Sequence, residues 1–192
     1  MGVGVETLSG RLVLVHGPPG TGKTTVLRAL AHAWRDWCQM EVVLDPERML
    51  NDPSYLMSVA LGDGRDARGR WRLLVFEDCD ELIRAEAKSG AGQSLARLLN
   101  LTDGLLGQGL EVLVAITSNE PLAQLHPAVV RAGRCLAERF VGPLSRVEAI
   151  DWLGTPEGIG PHGATLAELC GRRDGSTRIG PREVNEPIGL YL

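Results

Sequence analysis

The sequence lacks the features that would indicate a disulfide scaffold, a zinc site or a membrane span. Its four cysteines, Cys38, Cys79, Cys135 and Cys170, are scattered, with no Cys-x-x-Cys pair and no clustered histidines. This spacing predicts free thiols in a reducing compartment. No apolar run approaches the roughly 18 residues that a bilayer requires. The N-terminus has neither the basic start nor the apolar stretch of a signal peptide, so we expect a cytoplasmic protein without a membrane partner.

The sequence also lacks an excess of basic residues. Its formal net charge is -4, which argues against a general binder of nucleic acids or anionic membranes. One local basic run, Arg65, Arg68, Arg70 and Arg72, is most simply a solvated loop. The 192 residues suffice for one domain with a proper core, or a domain with a small appendage.

Apolar runs alternate with helical patterns over the first two thirds of the chain. This alternation is typical of a parallel α/β sheet with helices on both faces. We predict five strands, at residues 11–16, 41–44, 71–76, 111–116 and 138–141, with helices at 22–37 and 93–101. Beyond residue 141 the pattern turns helical, at 143–153 and 164–170. We therefore expect an αβα core over residues 1–141 and a small helical lid over 142–192.

A glycine-rich loop follows the first predicted strand and opens the first predicted helix. It matches the phosphate-binding pattern GxxxxGK[ST] in full. Glycines let backbone N–H groups approach phosphates closely, and the helix N-terminus adds its positive dipole end. A lysine there reaches the β- and γ-phosphates, and the following threonine ligates Mg²⁺. We predict that ATP with Mg²⁺ binds here, with Thr24 on the metal, through Gly17, Pro18, Pro19, Gly20, Thr21, Gly22, Lys23, Thr24 and Thr25.

Carboxylates follow the third predicted strand. A buried strand that ends in Glu77 and Asp78 would place one carboxylate beside the metal and the other beside the attacking water. We interpret Glu77 as the metal-side group and Asp78 as the catalytic base. A second register, at Asp80 and Glu81, lies three residues past the strand end, which we take as too far from the phosphate-loop lysine. Capping of the following helix is the alternative role for these acids.

Two later segments narrow the class of phosphate-loop protein to which the sequence can be compared. Residues 94–105 read SLARLLNLTDGL, and residues 112–134 read VLVAITSNEPLAQLHPAVVRAGR. Together with the phosphate loop and the acidic strand end, they resemble the AAA family of the AAA+ ATPases, over residues 11–141. The resemblance implies a P-loop NTPase fold: a five-stranded parallel sheet flanked by helices, with a small, shortened helical lid behind it.

The resemblance also implies roles for three further side chains. Asn119 stands at the position of the sensor that orients the lytic water. Arg131 and Arg134 match the paired arginine fingers that reach into the ATP of a neighbouring subunit. The Glu77-Asp78 order inverts the usual acidic pair, and resembles the branch of the mitochondrial respiratory-complex assembly chaperones and related actinobacterial ATPases. The inversion predicts slow turnover, because a shift of about 1 Å in a positioned group costs about a hundredfold in rate.

Three features depart from the family. Tyr55 and Leu56 could serve as a pore motif, but Met57 replaces its glycine, and ordinary helix packing explains Tyr55 equally well. Arg178 resembles a sensor-2 arginine, with a surface role as the alternative. Little of the usual adenine-binding linker precedes residue 11, so we expect a fragment, a truncated member or a motor that depends on partners.

Three functions remain open at this point. The first is an ATPase that remodels an unknown protein partner, as a homo-oligomeric ring of six. The second is an ATP-gated binding or assembly switch with little hydrolysis. The third, a P-loop kinase for a small molecule, fits Asn119 and the arginine pair less well.

Overall fold

The computed structural model describes residues 10–62, 69–84, 89–103, 111–131 and 133–175. The chain divides into two compact units, Met1–Pro143 and Leu144–Leu192, which are described separately. Within these described ranges, no helix has both the length and the apolar character needed to cross a membrane. Arg178 lies outside the described residues.

The first unit is built on a five-stranded sheet whose strand pairs are all parallel. The strands are β1 (Leu12–His16), β2 (Cys38–Val42), β3 (Trp71–Phe76), β4 (Val112–Ser118) and β5 (Cys135–Phe140), in the order β2-β3-β4-β1-β5. The helices are α1 (Lys23–Trp34), α2 (Pro46–Asn51), α3 (Pro53–Leu61), α4 (Asp80–Ile83) and α5 (Ser89–Asp103). The predicted fold class, a parallel five-stranded sheet flanked by helices, is confirmed.

The three central strands, β3, β4 and β1, are apolar over most of their length because both of their faces are covered. Alternate residues of a strand point to opposite faces of the sheet. On β1, Leu12 and Leu14 belong to one core, and Val13 and Val15 belong to the other. Helix α1 adds Leu27 to the second core, whereas α5 packs its leucines into the first. Each fully buried side chain of this kind stabilises the fold by roughly 1.5–3 kcal/mol.

Strand β2 begins and ends earlier than the sequence predicts. The apolar run at 41–44 suggested a strand there, but pairing starts with Cys38 opposite Trp71 and ends at Val42. Because β2 is an edge strand, apolar content is a poor guide to its extent. Val42 is 48% exposed and Leu44 is 91% exposed, whereas Val43 between them is buried in the first core.

Helices α2 and α3 occupy the segment after β2 in which a pore loop was considered. Each begins with an Asp-Pro pair, Asp45-Pro46 and Asp52-Pro53, in which the aspartate caps the helix and the proline takes the first helical position. Tyr55 packs against the core from the first turn of α3. The geometry therefore favours ordinary helix packing for Tyr55.

Arg72 does not lie in a solvated loop as the sequence suggested. It belongs to β3, and its Nε donates to Oε1 of Glu41 on the neighbouring strand at 2.7 Å. Its Nη1 also donates to the carbonyl oxygen of Ala60 at 3.2 Å. The hydrogen bonds of Arg72 therefore connect β3 to β2 and to α3. Residues 63–68 lie outside the described residues.

The described part of the second unit contains two short helices, α6 (Arg146–Leu153) and α7 (Leu166–Arg173). Each has a capping box, in which a Ser or Thr at the N-cap and a glutamate three residues later satisfy each other's backbone N–H groups. Ala149, Ile159, Ala164 and Leu169 form a small buried core. The lid role of this unit stays a prediction.

Candidate nucleotide site

The strand order brings three chemically important loops to one edge of the sheet. Strand β4 lies between β1 and β3, with Ser118 paired to His16 and Ile116 paired to Phe76. The segments that leave the carboxyl ends of these strands therefore emerge side by side. They are the glycine-rich loop after β1, the acidic residues after β3 and Asn119 after β4. In open α/β sheets this edge is where ligands bind.

The glycine-rich loop has the backbone form that a phosphate requires. Gly17, Gly20 and Gly22 all have positive φ angles, of 146°, 78° and 103°. Gly22 is also the N-cap of α1, and no side chain caps this helix. An uncapped helix N-terminus leaves backbone N–H groups and the positive dipole end for an anionic ligand. This loop fits a phosphate group.

Lys23 is buried and is held by three oxygen atoms of its own chain. Its Nζ donates to the carbonyl oxygens of Gly17 at 2.8 Å and Pro18 at 3.1 Å, and to Oδ1 of Asn119 at 2.6 Å. Burial lowers the pKa of Lys23, although the charges of Asp78 and Asp80 act in the opposite direction. The ammonium group thus lies where the loop and the acidic residues meet.

Thr24 and Glu77 form the best candidate pair for holding a magnesium ion. The Thr24 hydroxyl donates to Oε1 of Glu77 at 2.7 Å, across the gap between α1 and the end of β3. Magnesium prefers oxygen ligands and is usually bound by one or two protein groups together with phosphate oxygens and water. A hydroxyl and a carboxylate this close to the phosphate loop fit that donor set. The geometry therefore favours Glu77 over Asp80 on the metal side.

Asp78 has an unusual backbone conformation. Its φ is 52°, and among the described residues it alone combines a positive φ with a side chain larger than glycine's. Its backbone N–H donates to the Thr117 hydroxyl at 2.9 Å, and its Oδ1 accepts from Nδ2 of Asn119 at 3.3 Å. The side chain is exposed at the edge of the site. A carboxylate held this way is available to water, as a catalytic base must be.

Asp80 belongs to the site through contacts with β4 that the sequence analysis did not predict. The left-handed turn at Asp78 leads the chain into α4, and Asp80 reaches back to β4. Its Oδ1 accepts from the Ser118 hydroxyl at 2.6 Å and from the Asn119 backbone N–H at 2.9 Å. Its Oδ2 accepts from Nδ2 of Asn119 at 3.2 Å. Asn119 bonds to both Asp80 and Lys23 and so links Asp80 to the glycine-rich loop.

The other residues of the predicted set complete the glycine-rich loop and the first turn of α1. The Thr21 hydroxyl is turned inward and donates to the carbonyl oxygen of Pro18 at 2.8 Å. Pro19 and Thr25 are exposed on the same loop and helix turn. Glu81, the other acid of the second register, is exposed.

The two candidate arginine fingers lie in different surroundings. Arg134 is half-buried, and its Nη1 donates to the carbonyl oxygen of Ala128 at 2.6 Å. Arg131 is exposed, and within the described part of the chain its guanidinium has no hydrogen bond or ion pair. Arg131 is therefore the one available for a partner, whereas Arg134 also supports its own loop.

Comparison with known proteins agrees with this geometry. A family model, the ATPase family associated with various cellular activities (AAA), matches residues 13–143. The chain belongs to the AAA family. This match supports ATP binding at the site, and it spans β1 to β5 together with every residue considered above.

Several curated proteins are similar to the same part of the chain. The probable mitochondrial chaperone bcs1 of Schizosaccharomyces pombe is 31% identical over 137 residues, which are 67% of this chain and 28% of that protein. The ATPase family gene 2 protein of Saccharomyces cerevisiae is 34% identical over 145 residues, 69% of this chain and 17% of that protein. The resemblance inferred from the sequence, including that to the mitochondrial chaperone branch, is confirmed.

A solved structure supports the fold alone. A chain in the E. coli MS115-1 HORMA:CdnC:Trip13 complex superposes with a TM-score of 0.56 at 18% identity, covering 76% of this chain and 54% of that one. The matched part of this chain spans less than a third of the length of the two curated relatives named above. The activities of those whole proteins therefore bear on this chain only as proposals.

Proposed function

We propose that this chain binds Mg-ATP between the glycine-rich loop and the strand ends, and hydrolyses it to remodel a protein partner. The observation that carries the proposal is two sets of hydrogen bonds at one edge of the sheet, in which Asn119 bonds to Lys23 and Asp78, and Thr24 bonds to Glu77. These side chains come from three separate segments, and each is of the type that phosphoryl transfer to water requires. The bcs1 relative is a probable chaperone by name, which supports a protein as the partner.

Each side chain has a distinct task in this proposal. Lys23 binds the β- and γ-phosphates, and Thr24 with Glu77 holds the magnesium ion. The ion, when bound, neutralises charge on the phosphate oxygens. Asp78 accepts a proton from the attacking water, while Asn119 orients that water through its amide. The short bond between Lys23 and Asn119 gives way when phosphate oxygens replace the amide oxygen as acceptors.

Arg131 supplies the arginine finger in trans in a homo-oligomeric ring, with six subunits as the family suggests. A guanidinium that makes no hydrogen bond or ion pair among the described residues is suited to stabilise charge on a neighbour's ATP. Arg134 assists by holding the finger loop through Ala128. Residues 142–192 form the small helical lid subdomain of the family, and the protein works in the cytoplasm.

A second candidate function rests on the acidic pair. With glutamate on the metal side and aspartate as base, each carboxylate differs by one methylene from the usual arrangement. The φ of 52° at Asp78 shows that the backbone at the base is constrained. A misplacement of about 1 Å costs about a hundredfold in rate. The chain would then serve as a switch that assembles with ATP and releases it without much turnover.

The experiment that separates the two functions measures ATP hydrolysis with Mg²⁺ against protein concentration, with light scattering on the same samples. Specific activity that rises as a large species forms supports the motor. Tight ATP binding with a flat rate near zero supports the switch. Failure to bind ATP at any concentration would refute both.

The trans role of Arg131 is tested by mixing two inactive variants. Arg131→Ala keeps an intact base, and Asp78→Asn keeps an intact finger. In a mixed ring some interfaces pair an intact base with an intact finger, so activity should return in part. Absence of rescue, when light scattering shows that the variants have formed mixed rings, would contradict a finger that acts across subunits.

A further inference from the structure

Asn119 is fixed by a network whose largest contributor is Asp80. Three donors converge on the Asp80 carboxylate: the Ser118 hydroxyl, the Asn119 backbone N–H and the Asn119 side-chain amide. Both carboxylate oxygens therefore accept hydrogen bonds, and together they hold the consecutive residues Ser118 and Asn119 at the end of β4. Burial raises the pKa of Asp80, but these hydrogen bonds outweigh it and leave the pKa below its ordinary value. The charged form is thus the one that the network stabilises.

The contacts of Asn119 define which way its amide faces. Oδ1 accepts from Lys23 Nζ at 2.6 Å, and Nδ2 donates to Asp80 at 3.2 Å and to Asp78 at 3.3 Å. A reversed amide would place Nδ2 against an ammonium group and Oδ1 against two carboxylates. Both contacts would be repulsive, so the charged neighbours select a single orientation.

Asp80 differs from Asp78 in what it can reach. Asp78 is exposed and makes its one side-chain bond to Asn119, so it is free to meet water. Asp80 is half-buried, and its oxygens are committed to Ser118 and Asn119. An aspartate whose acceptor sites are used by its own chain is suited to position a neighbour and not to take up a proton.

We propose that Asp80 is a positioning residue that orients the Asn119 amide for the attacking water. This inference rests on the proposed function for its kinetic consequence, but the positioning itself is a property of the nucleotide-free chain. Asp80 acts on turnover through Asn119, whereas the affinity for ATP depends on the contacts that Lys23 and the glycine-rich loop make with the phosphates.

Asp80→Asn is the informative substitution because it keeps the size of the side chain. Its amide oxygen can still accept from Ser118 and from the Asn119 backbone. Its amide nitrogen, in place of Oδ2, meets the Asn119 nitrogen donor to donor, so the side-chain bond is lost. Glu81→Gln is the matched control, since it also exchanges a carboxylate for an amide but at an exposed position on the same helix.

The first test is structural and needs no nucleotide. The side-chain amide signals of Asn119 are identified in a ¹⁵N-labelled spectrum by their loss in Asn119→Ala. In Asp80→Asn these signals should move towards those of solvent-exposed amides, whereas in Glu81→Gln they should stay in place. Unmoved signals in Asp80→Asn would overturn the positioning role, whatever the activity of the protein.

The second test is a double-mutant cycle on ATP hydrolysis. Asp80→Asn should lower kcat about tenfold or more while the Kd for ATP changes less than about twofold. In an Asn119→Ala background the same substitution should change kcat by less than about twofold, because the residue it acts through is gone. Full additivity of the two substitutions would overturn the proposal. A wild-type chain that does not bind ATP would refute the proposed function instead, and the amide signals would still decide the role of Asp80.

Discussion

Replacing Gly17 with alanine tests how tightly the phosphate loop is joined to the sheet. Gly17 has a φ of 146°, and a Cβ there would overlap the carbonyl oxygen of Val141, well inside the 3.0 Å that real Cβ atoms keep from other atoms. The neighbour is backbone, at the end of the β5 segment, and cannot rotate away as a side chain would. Either the loop or the strand must therefore move.

The cost can be worked out from the contacts that such a movement breaks. The unfavourable φ of an alanine costs about 1–3 kcal/mol. The Gly17 N–H donates to the Ser118 carbonyl oxygen at 3.1 Å, and the Val141 N–H donates to that of His16 at 2.7 Å. Losing each costs about 1 kcal/mol. We expect Gly17→Ala to lower the free energy of unfolding by about 3–5 kcal/mol, a large part of the roughly 5–15 kcal/mol of a typical domain.

Urea unfolding followed by circular dichroism measures this loss. Gly69→Ala is the matched control, because Gly69 also has a positive φ, of 61°, but a Cβ there would have nothing within 4 Å. The control should lose only about 1–2 kcal/mol, the strain of the left-handed conformation. Equal unfolding midpoints for the two variants would refute the close contact between the loop and Val141.

Three further predictions concern the surroundings of individual side chains. Arg134→Ala should lower the urea midpoint because it loses the bond to Ala128, whereas Arg131→Ala should leave it unchanged; equal midpoints would contradict the different roles of the two arginines. Burial and nearby carboxylates raise the pKa of Cys79 to about 12. Alkylation of this thiol at pH 8 should therefore be about a thousandfold slower in the folded chain than in the unfolded chain, and equal rates would contradict its burial. Because the pKa of Asp80 is lowered in the folded chain, the wild type should be more stable than Asp80→Asn above about pH 4, and this advantage should fade as the pH falls further. A difference between the two urea midpoints that is equal at pH 3 and pH 7 would contradict this prediction.

The central strands and the phosphate loop could be predicted from the sequence because each has a strong local cause. Strands β1, β3 and β4 are covered on both faces, so they read as continuous apolar runs. Strand β3 was predicted at its observed bounds, Trp71–Phe76. The glycine-rich loop needs particular residues at particular spacings, which makes it visible without any knowledge of tertiary structure.

The edge strand and the helices after it were harder to predict. Strand β2 has one neighbour and a pattern of mixed burial, so its extent depends on where pairing with Trp71 begins. The sequence signals at the starts of helices α2 and α3 are the pairs Asp45-Pro46 and Asp52-Pro53. The strand predicted at 41–44 ends just before the first pair and no helix was predicted there, although an Asp-Pro pair is a signal for the start of a helix.

The role of Asp80 depends on one backbone angle that the sequence does not reveal. The chain turns at Asp78 with a positive φ, and this turn brings Asp80 to the end of β4. Measured along the sequence, Asp80 lies past the strand end. The division of tasks between Arg131 and Arg134 was equally hidden, since it depends on the position of the Ala128 carbonyl group.

Calorimetric titration of ATP with Mg²⁺ into the wild type and Lys23→Ala tests the central claim most directly. Lys23 is buried among acceptors at the centre of the site, and charge-assisted bonds to phosphate contribute about 1.5–3 kcal/mol each. Arg28→Ala, on the exposed side of the same helix, controls for the loss of one positive charge. We predict that Lys23→Ala weakens ATP binding about a hundredfold or more while Arg28→Ala binds as the wild type does. Equal affinity in Lys23→Ala and the wild type would contradict the assignment of this loop as the nucleotide site.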